Sequence, residues 1–135
     1  MIILDTNVLS QLARDPGPIA EWMARNARED LHITATTVTE IIYGLERLPA
    51  GRRREALERQ WQSLEVTWRR RVLDITREVA HIAGRVLAVR EALGRRLALA
   101  DAQIAGAAIR HGAVLATRNT RDFDGLGIDL VDPWQ

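Results

Sequence analysis

At 135 residues, with 47% apolar and 27% charged side chains, the chain is long enough for one domain with a core and too apolar to be disordered. It contains no cysteine, which excludes disulfides, thiolate zinc centres and a cysteine nucleophile. Its net charge of +1, with all 19 basic side chains arginine, is too balanced to mark a nucleic-acid binder by charge alone.

Met1-Ile2-Ile3-Leu4 carries no preceding basic residues and its apolar run stops at Asp5, so it does not read as a signal peptide. No stretch is long enough to span a bilayer. The expectation is a cytoplasmic protein with no membrane partner.

Ile2 to Leu4 has the continuous apolar character of a buried parallel strand. Asp5-Thr6-Asn7 then opens a helix predicted to run through Leu12 and stop before Asp15-Pro16-Gly17. A second helix begins near Pro18, with Ile19, Trp22 and Met23 on one side. Leu31 to Thr34 is the next strand candidate. Thr37 to Leu48 is amphipathic, with Val38, Ile41, Ile42, Leu45 and Leu48 at helical spacing.

Beyond the turn at Pro49-Ala50-Gly51, Arg53 to about Trp68 is predicted helical and Arg71 to Ile75 a short strand. Thr76 to Leu93 reads as a long helix with Val79, Ile82, Ala83, Val86 and Leu93 facing inward. Leu99 to His111 is an alanine-rich helix stopped by Gly112. Ala113 to Ala116 is a strand, Thr117 to Phe123 the turn after it, and Ile128 to Val131 a weak final strand. Strands alternating with helices, without repeat or linker, predict one α/β domain over residues 1–135, its central parallel sheet covered on both faces.

Four acids are candidates for chemistry: Asp5, Glu40, Asp101 and Asp122. Each follows an apolar run or lies in the first turn of a helix, positions that converge at the carboxyl edge of an α/β sheet, where ligands bind. Acids gathered there repel one another unless a cation neutralises them, and oxygen-only ligation suits Mg²⁺ or Mn²⁺. Each also has a structural role open to it. Asp5 suits a helix cap, Thr37-Val38-Thr39-Glu40 has the form of a capping box, Asp101 complements a helix dipole, and Asp122 follows Asn119 by a cap spacing. Asp101, however, stands in the apolar stretch Leu97 to Ala102, where an unpaired carboxylate is costly. Gly44, one turn after Glu40, offers a bare face for a ligand or for close helix packing.

Met1-Ile2-Ile3-Leu4-Asp5-Thr6-Asn7 resembles the opening of a PIN domain. Val38 to Leu45, Leu97 to Ala105 and Ala116 to Phe123 resemble the segments carrying that family's later acids, in the same order along the whole chain. Within the family the chain is similar to VapC-type toxins, the FitB-like group in particular. This resemblance implies a sheet of about five parallel strands with helices on both faces. It also implies a Mg²⁺- or Mn²⁺-dependent endoribonuclease, the toxin of a toxin–antitoxin pair. Asp5, Glu40, Asp101 and Asp122 would then be the metal-site acids, Thr6 and Asn7 would shape the first-acid turn, and Thr117 and Asn119 would support the site. The implied partners are an RNA substrate, a cognate antitoxin, and a second copy of the chain or a toxin–antitoxin hetero-oligomer.

Arg118 and Arg121 flank the fourth-acid turn and are candidate phosphate contacts. The runs Arg52 to Arg54 and Arg69 to Arg71 read as solvated faces, with Glu55 and Glu58 available as helical partners. His32, His81 and His111 lack metal-ligand spacing. Trp61 and Trp68 share a stripe with Leu57 and Leu64 that suits a core or an interface. Two alternatives complete the expectations. One is a catalytically silent domain of this fold that binds RNA or a protein. The other is an aspartyl-phosphate phosphatase with Asp5 as nucleophile, disfavoured because Asn7 stands where a second Asp is needed and lysine is absent.

Overall fold

Ile2–Leu4 (β1) is buried at every position, as expected of a parallel strand at the centre of a sheet with helices on both faces. A computed structural model describes all 135 residues. β1 pairs with Leu31–Thr34 (β2) on one side and Val114–Ala116 (β4) on the other. Val72–Leu73 (β3) and Leu130–Val131 (β5) form the edges. All pairings are parallel, in the order β3-β2-β1-β4-β5. The winding therefore reverses between β1 and β4. In open α/β sheets, that reversal opens a crevice outside the strands' carboxyl ends, because the connections leave in opposite directions.

Alternation along β1 feeds two cores. Ile3 packs with Val79, Ala83, Val86, Leu115, Phe123 and the alanines of Leu99–His111 (α6). Ile2 and Leu4 face the other way, onto Val8, Leu9, Ile19, Trp22, Trp61 and Trp68. The second core is supplied by Thr6–Arg14 (α1), Gly17–Arg25 (α2) and Arg52–Trp68 (α4). Ala35–Glu46 (α3) contributes Val38, Ile41 and Leu45 at its margin. Arg77–Ala92 (α5) packs against α6, where a Cβ on Gly106 would meet the Val79 carbonyl oxygen at 2.8 Å. The missing side chain lets the two backbones approach. Gly112 ends α6 in the left-handed region, φ 58°, as its sequence position predicts.

The structure departs from the expectations in several places. The first helix continues past Leu12 to Arg14, ending at Asp15. α3 begins at Ala35 because Thr34, at the end of β2, accepts from the Thr37 amide at 3.2 Å. The capping box at Thr37 to Glu40 therefore does not form, and Glu40 lies inside the helix. The predicted strand over Arg71 to Ile75 shrinks to β3, preceded by a 3₁₀ turn over Arg69–Arg71. Leu93 is the cap of α5 and is 66% exposed, so it does not face inward. Within Thr117 to Phe123, residues Thr120–Phe123 form a short helix (α7). Trp61 and Trp68 are buried, which assigns their stripe to the core.

Candidate active site

Asp5 leaves β1 at the crevice and is itself buried. Its backbone amide continues the sheet by donating to the Ala116 carbonyl at 2.9 Å. Its Oδ1 accepts from the Thr6 amide at 2.7 Å. Its Oδ2 accepts from Asn7 Nδ2 at 2.9 Å and from Thr117 Oγ1 at 2.7 Å. Thr117 follows β4, so this last bond spans the reversal point of the sheet. Asn7 also accepts from the Arg118 amide at 3.3 Å, and the Asn119 amide donates to Thr117 Oγ1 at 3.0 Å. The turn after β1 and the turn after β4 thus form one hydrogen-bonded unit.

A carboxylate has about four lone-pair directions. Donors from Thr6, Asn7 and Thr117 occupy three on Asp5, leaving one on Oδ1 for a further ligand. The carboxyl is held above the ordinary aspartate value, first by burial and further by the nearby Glu40 charge. The bonds from Thr117, Thr6 and Asn7 oppose that rise.

Glu40 is placed by α3 and gripped from α1, since Thr6 Oγ1 donates to its Oε1 at 2.7 Å. That hydroxyl also lies 3.3 Å from Thr37 Oγ1. Beside Glu40, a cleft of about 280 Å³ runs between α1, α3 and α4, lined by Ser10, Arg14, Gly44, Arg53 and Trp61 among others. A Cβ on Gly44 would meet nothing within 4 Å. Close helix packing is therefore not the reason for a glycine there, and the open face beside Glu40 is real.

Asp101 lies in the first turn of α6, half-buried. No protein donor reaches its carboxylate, although α6 is tied to α3 two residues further on by Thr36 Oγ1 donating to Gln103 Oε1 at 2.8 Å. The Asp101 carboxyl is pushed up to about 6, first by burial and then by the charges of Asp5, Glu40 and Asp122. Asp101 thus lies within electrostatic reach of the other three acids, and Asp5 within reach of Glu40. Asp122 is exposed on α7, anchored by the buried Phe123 next to it.

The acids are gathered loosely. No three of the chain's His, Asp and Glu side chains are close enough to hold an ion by themselves. The donor set nevertheless fits Mg²⁺, which is normally held by one or two carboxylates and completes its shell with water and substrate oxygens. A half-buried Asp101 without a donor, raised by the charges of three further acids, is the kind of carboxylate a cation would stabilise.

Arg118 and Arg121 are exposed on the turn that carries Asp122. The Arg118 guanidinium stacks 5.4 Å from the centroid of Trp134, a contact from the chain's end that no sequence spacing announces. Arg54 pairs with Glu46 at 3.0 Å and Glu58 at 2.6 Å, and Arg71 donates to the Leu31 carbonyl. Glu58 is thus a partner, as expected, whereas the second partner is Glu46 and not Glu55. His81 and His111 are exposed, and His32 pairs with Asp30. One polar residue at this edge escaped the sequence reading. Arg90 is 3% exposed, and it follows Val79, Ala83 and Val86 on the inward face of α5. An arginine at an apolar position of a helical repeat was the available signal.

A PIN domain profile matches residues 2–128. The chain belongs to the PIN-domain family. Within it, the chain is 33% identical to the VapC ribonuclease Y4jK of Sinorhizobium fredii, over 100% of this chain and 99% of that protein. It is equally 33% identical to toxin FitB of Neisseria gonorrhoeae, over 99% of each. The fold agrees with the crystal structure of FitAcB from Neisseria gonorrhoeae at a TM-score of 0.87 and 32% identity, covering 100% of this chain and 99% of that one. No helix of the chain is long and apolar enough to cross a membrane.

Proposed function

We propose that this chain is a Mg²⁺- or Mn²⁺-dependent endoribonuclease and the toxin of a toxin–antitoxin pair, with Asp5, Glu40, Asp101 and Asp122 as its acidic site. The observation that carries this reading is Asp101, a half-buried carboxylate without a donor, raised by the charges of the other three acids after burial itself. Similarity to a VapC ribonuclease and to toxin FitB supports the same activity and role.

When bound, the divalent ion would supply an activated water and neutralise charge on the scissile phosphate. Asp5 and Asp101 would hold it directly. Asp5 presents its remaining Oδ1 lone pair from a fixed position, because three donors lock the rest of its carboxylate. Glu40, oriented through Thr6, would serve as a further ligand or as the group that takes a proton from water. Asp122 would complete the acidic rim from the facing turn. Thr117 and Asn119 support the first acid's geometry, and Arg118 and Arg121 would hold RNA phosphates beside it. A cognate antitoxin, and self-association or a toxin–antitoxin hetero-oligomer, follow from the same family reading.

The alternative is a silent PIN-fold domain that binds RNA or a protein, favoured by the looseness of the acid cluster. Cleavage of total cellular RNA, with and without Mg²⁺ or Mn²⁺, alongside Asp101→Asn, separates the two. Metal-dependent cleavage lost in the variant supports the nuclease. Folded wild-type protein that takes up the ion yet leaves RNA intact, or a variant that cleaves equally, supports the silent domain.

A further inference from the structure

The turn that bears Asp122 is short, exposed on its outer side, and held to β4 by few contacts of its own. Only Phe123 enters the core from it. Beyond Asn119 it is also held from behind, by α5 and the segment after it. Arg90 Nη2 donates to the Asp122 carbonyl at 2.9 Å and also to the Asp124 carbonyl. Arg95 Nη2 donates to the Arg121 carbonyl at 2.9 Å. Two guanidinium groups therefore grasp three successive or near-successive carbonyls around Asp122.

Arg90 is unusual on its own terms. It is buried, its Nε has no partner, and it makes no ion pair with any carboxylate. A buried, unpaired guanidinium is costly, and an apolar residue would fill the same inward position of α5 without that cost. What the arginine adds is Nη2, whose N–H groups hold two carbonyls at the C-terminal end of α7, Asp122 in its last turn and Asp124 just past it, that the short helix leaves unsatisfied.

We propose that Arg90, assisted by Arg95, is the positioning residue for the fourth acid, fixing the α7 turn through its backbone so that the Asp122 carboxylate faces Asp5, Glu40 and Asp101. This rests on the reading of those acids as a cation site. Arg90 touches neither substrate nor ion. It acts only through the turn, and a lysine in its place keeps the charge on a shorter side chain that brings no donor to the position of Nη2.

The test uses two readouts on the full chain, neither of them activity. Amide hydrogen exchange at residues 120–124 reports the turn, and Mn²⁺ titration by calorimetry reports the site. In Arg90→Lys, exchange in the turn should accelerate at least about tenfold and Mn²⁺ affinity should fall about 10-fold to 100-fold, the range for residues that orient ligands. Asp122→Asn should weaken Mn²⁺ without loosening the turn. The double variant should bind no more weakly than Asp122→Asn alone, because a positioning residue has nothing left to position. A purely structural arginine would lower the melting temperature of both backgrounds and leave Mn²⁺ affinity unchanged, and that result overturns the proposal. Additive losses in the double variant overturn it too. Arg95→Met, at an exposed position, should loosen the turn and weaken Mn²⁺ in the same sense; if Arg90→Lys does not fold, Arg95→Met with unchanged turn and affinity overturns the proposal. Wild-type protein that binds no Mn²⁺ would overturn the cation-site reading, and the role of Arg90 with it. Normal binding by wild type and Arg90→Lys alike would overturn the arginine's role alone.

Discussion

The Thr6 hydroxyl donates to Glu40 Oε1 at 2.7 Å, joining residues 34 positions apart in the chain. Thr6 is the first residue of α1, and Glu40 lies in the second turn of α3. The bond fixes the direction of a carboxylate on one helix from the end of another. It also explains why Glu40 does not reach back to cap its own helix.

Thr6→Val keeps the shape of the side chain and removes this donor. Divalent-ion affinity and RNA cleavage should both fall about 10-fold to 100-fold, with Thr6→Ser retaining most of each. Calorimetric Mn²⁺ titration of the three proteins checks this. Equal affinity in all three would show that Glu40 needs no orientation from α1.

Thr117 donates to Asp5 Oδ2 and accepts from the Asn119 amide. Thr117→Val leaves a buried carboxylate short of one donor, a loss of about 1–3 kcal/mol. Because the Thr117 bond holds the Asp5 carboxyl down, its removal should raise that group further. Denaturant unfolding at neutral pH should show a lowered midpoint with unchanged slope. A midpoint equal to wild type would place the bond outside the energetics of the site.

Asp101 gives a pH dependence with a definite sign. Its folded-state carboxyl is raised from 3.8 to about 6, by burial first and by the other acids after it. The folded protein therefore binds a proton that the unfolded chain has already released. The stability contributed is fully present below about pH 4 and is lost as the pH rises through about 6. Metal-free wild type should thus lose melting temperature relative to Asp101→Asn across that interval. Added Mg²⁺ at about 100 times its dissociation constant should restore about 2.7 kcal/mol at neutral pH, with little effect below pH 4 and none in the variant. Parallel melting curves for wild type and Asp101→Asn, with and without Mg²⁺, would contradict this.

Two glycines should respond in opposite directions. At Gly106 an added Cβ would meet the Val79 carbonyl oxygen at 2.8 Å and the Ala83 amide nitrogen at 3.2 Å. Both are backbone atoms, so α5 and α6 must separate, and Gly106→Ala should cost about 1–3 kcal/mol. At Gly44 the space is open, so Gly44→Ala should stabilise the interior of α3 by about 0.5–1 kcal/mol. Urea midpoints of the pair measure both. A destabilised Gly44→Ala would show that its helix packs more tightly than the structure indicates.

Asp5, Asp101 and Asp122 stood out as candidates because each follows a short apolar run or lies in the first turn of a helix, and such signals are local, whereas Glu40 lies in the second turn of α3. The strand at Ile2 to Leu4 and the helix from Leu99 to His111 were equally plain, being a continuous apolar segment and an alanine-rich stretch closed by glycine. The reading failed where a distant group settled a local choice. Thr37-Val38-Thr39-Glu40 has every mark of a capping box. Thr34 nevertheless supplies the cap from the strand side, and Thr6 takes the glutamate. Leu93 completes an apolar repeat on paper, yet it lies just past the last residue of α5, as its cap, and is exposed.

The sequence by itself determined the order of strands and helices, the acids at their ends and the glycine stops, because periodicity, capping and chain stiffness act within a few residues. Only the tertiary structure decided that the turns after β1 and β4 lock together through Asp5 and Thr117. It likewise decided that Trp134 backs Arg118 and that Arg90 holds the fourth-acid turn from beneath. Those pairings join groups far apart in the chain. Their geometry depends on how the sheet reverses between its first and fourth strands, which no local pattern encodes.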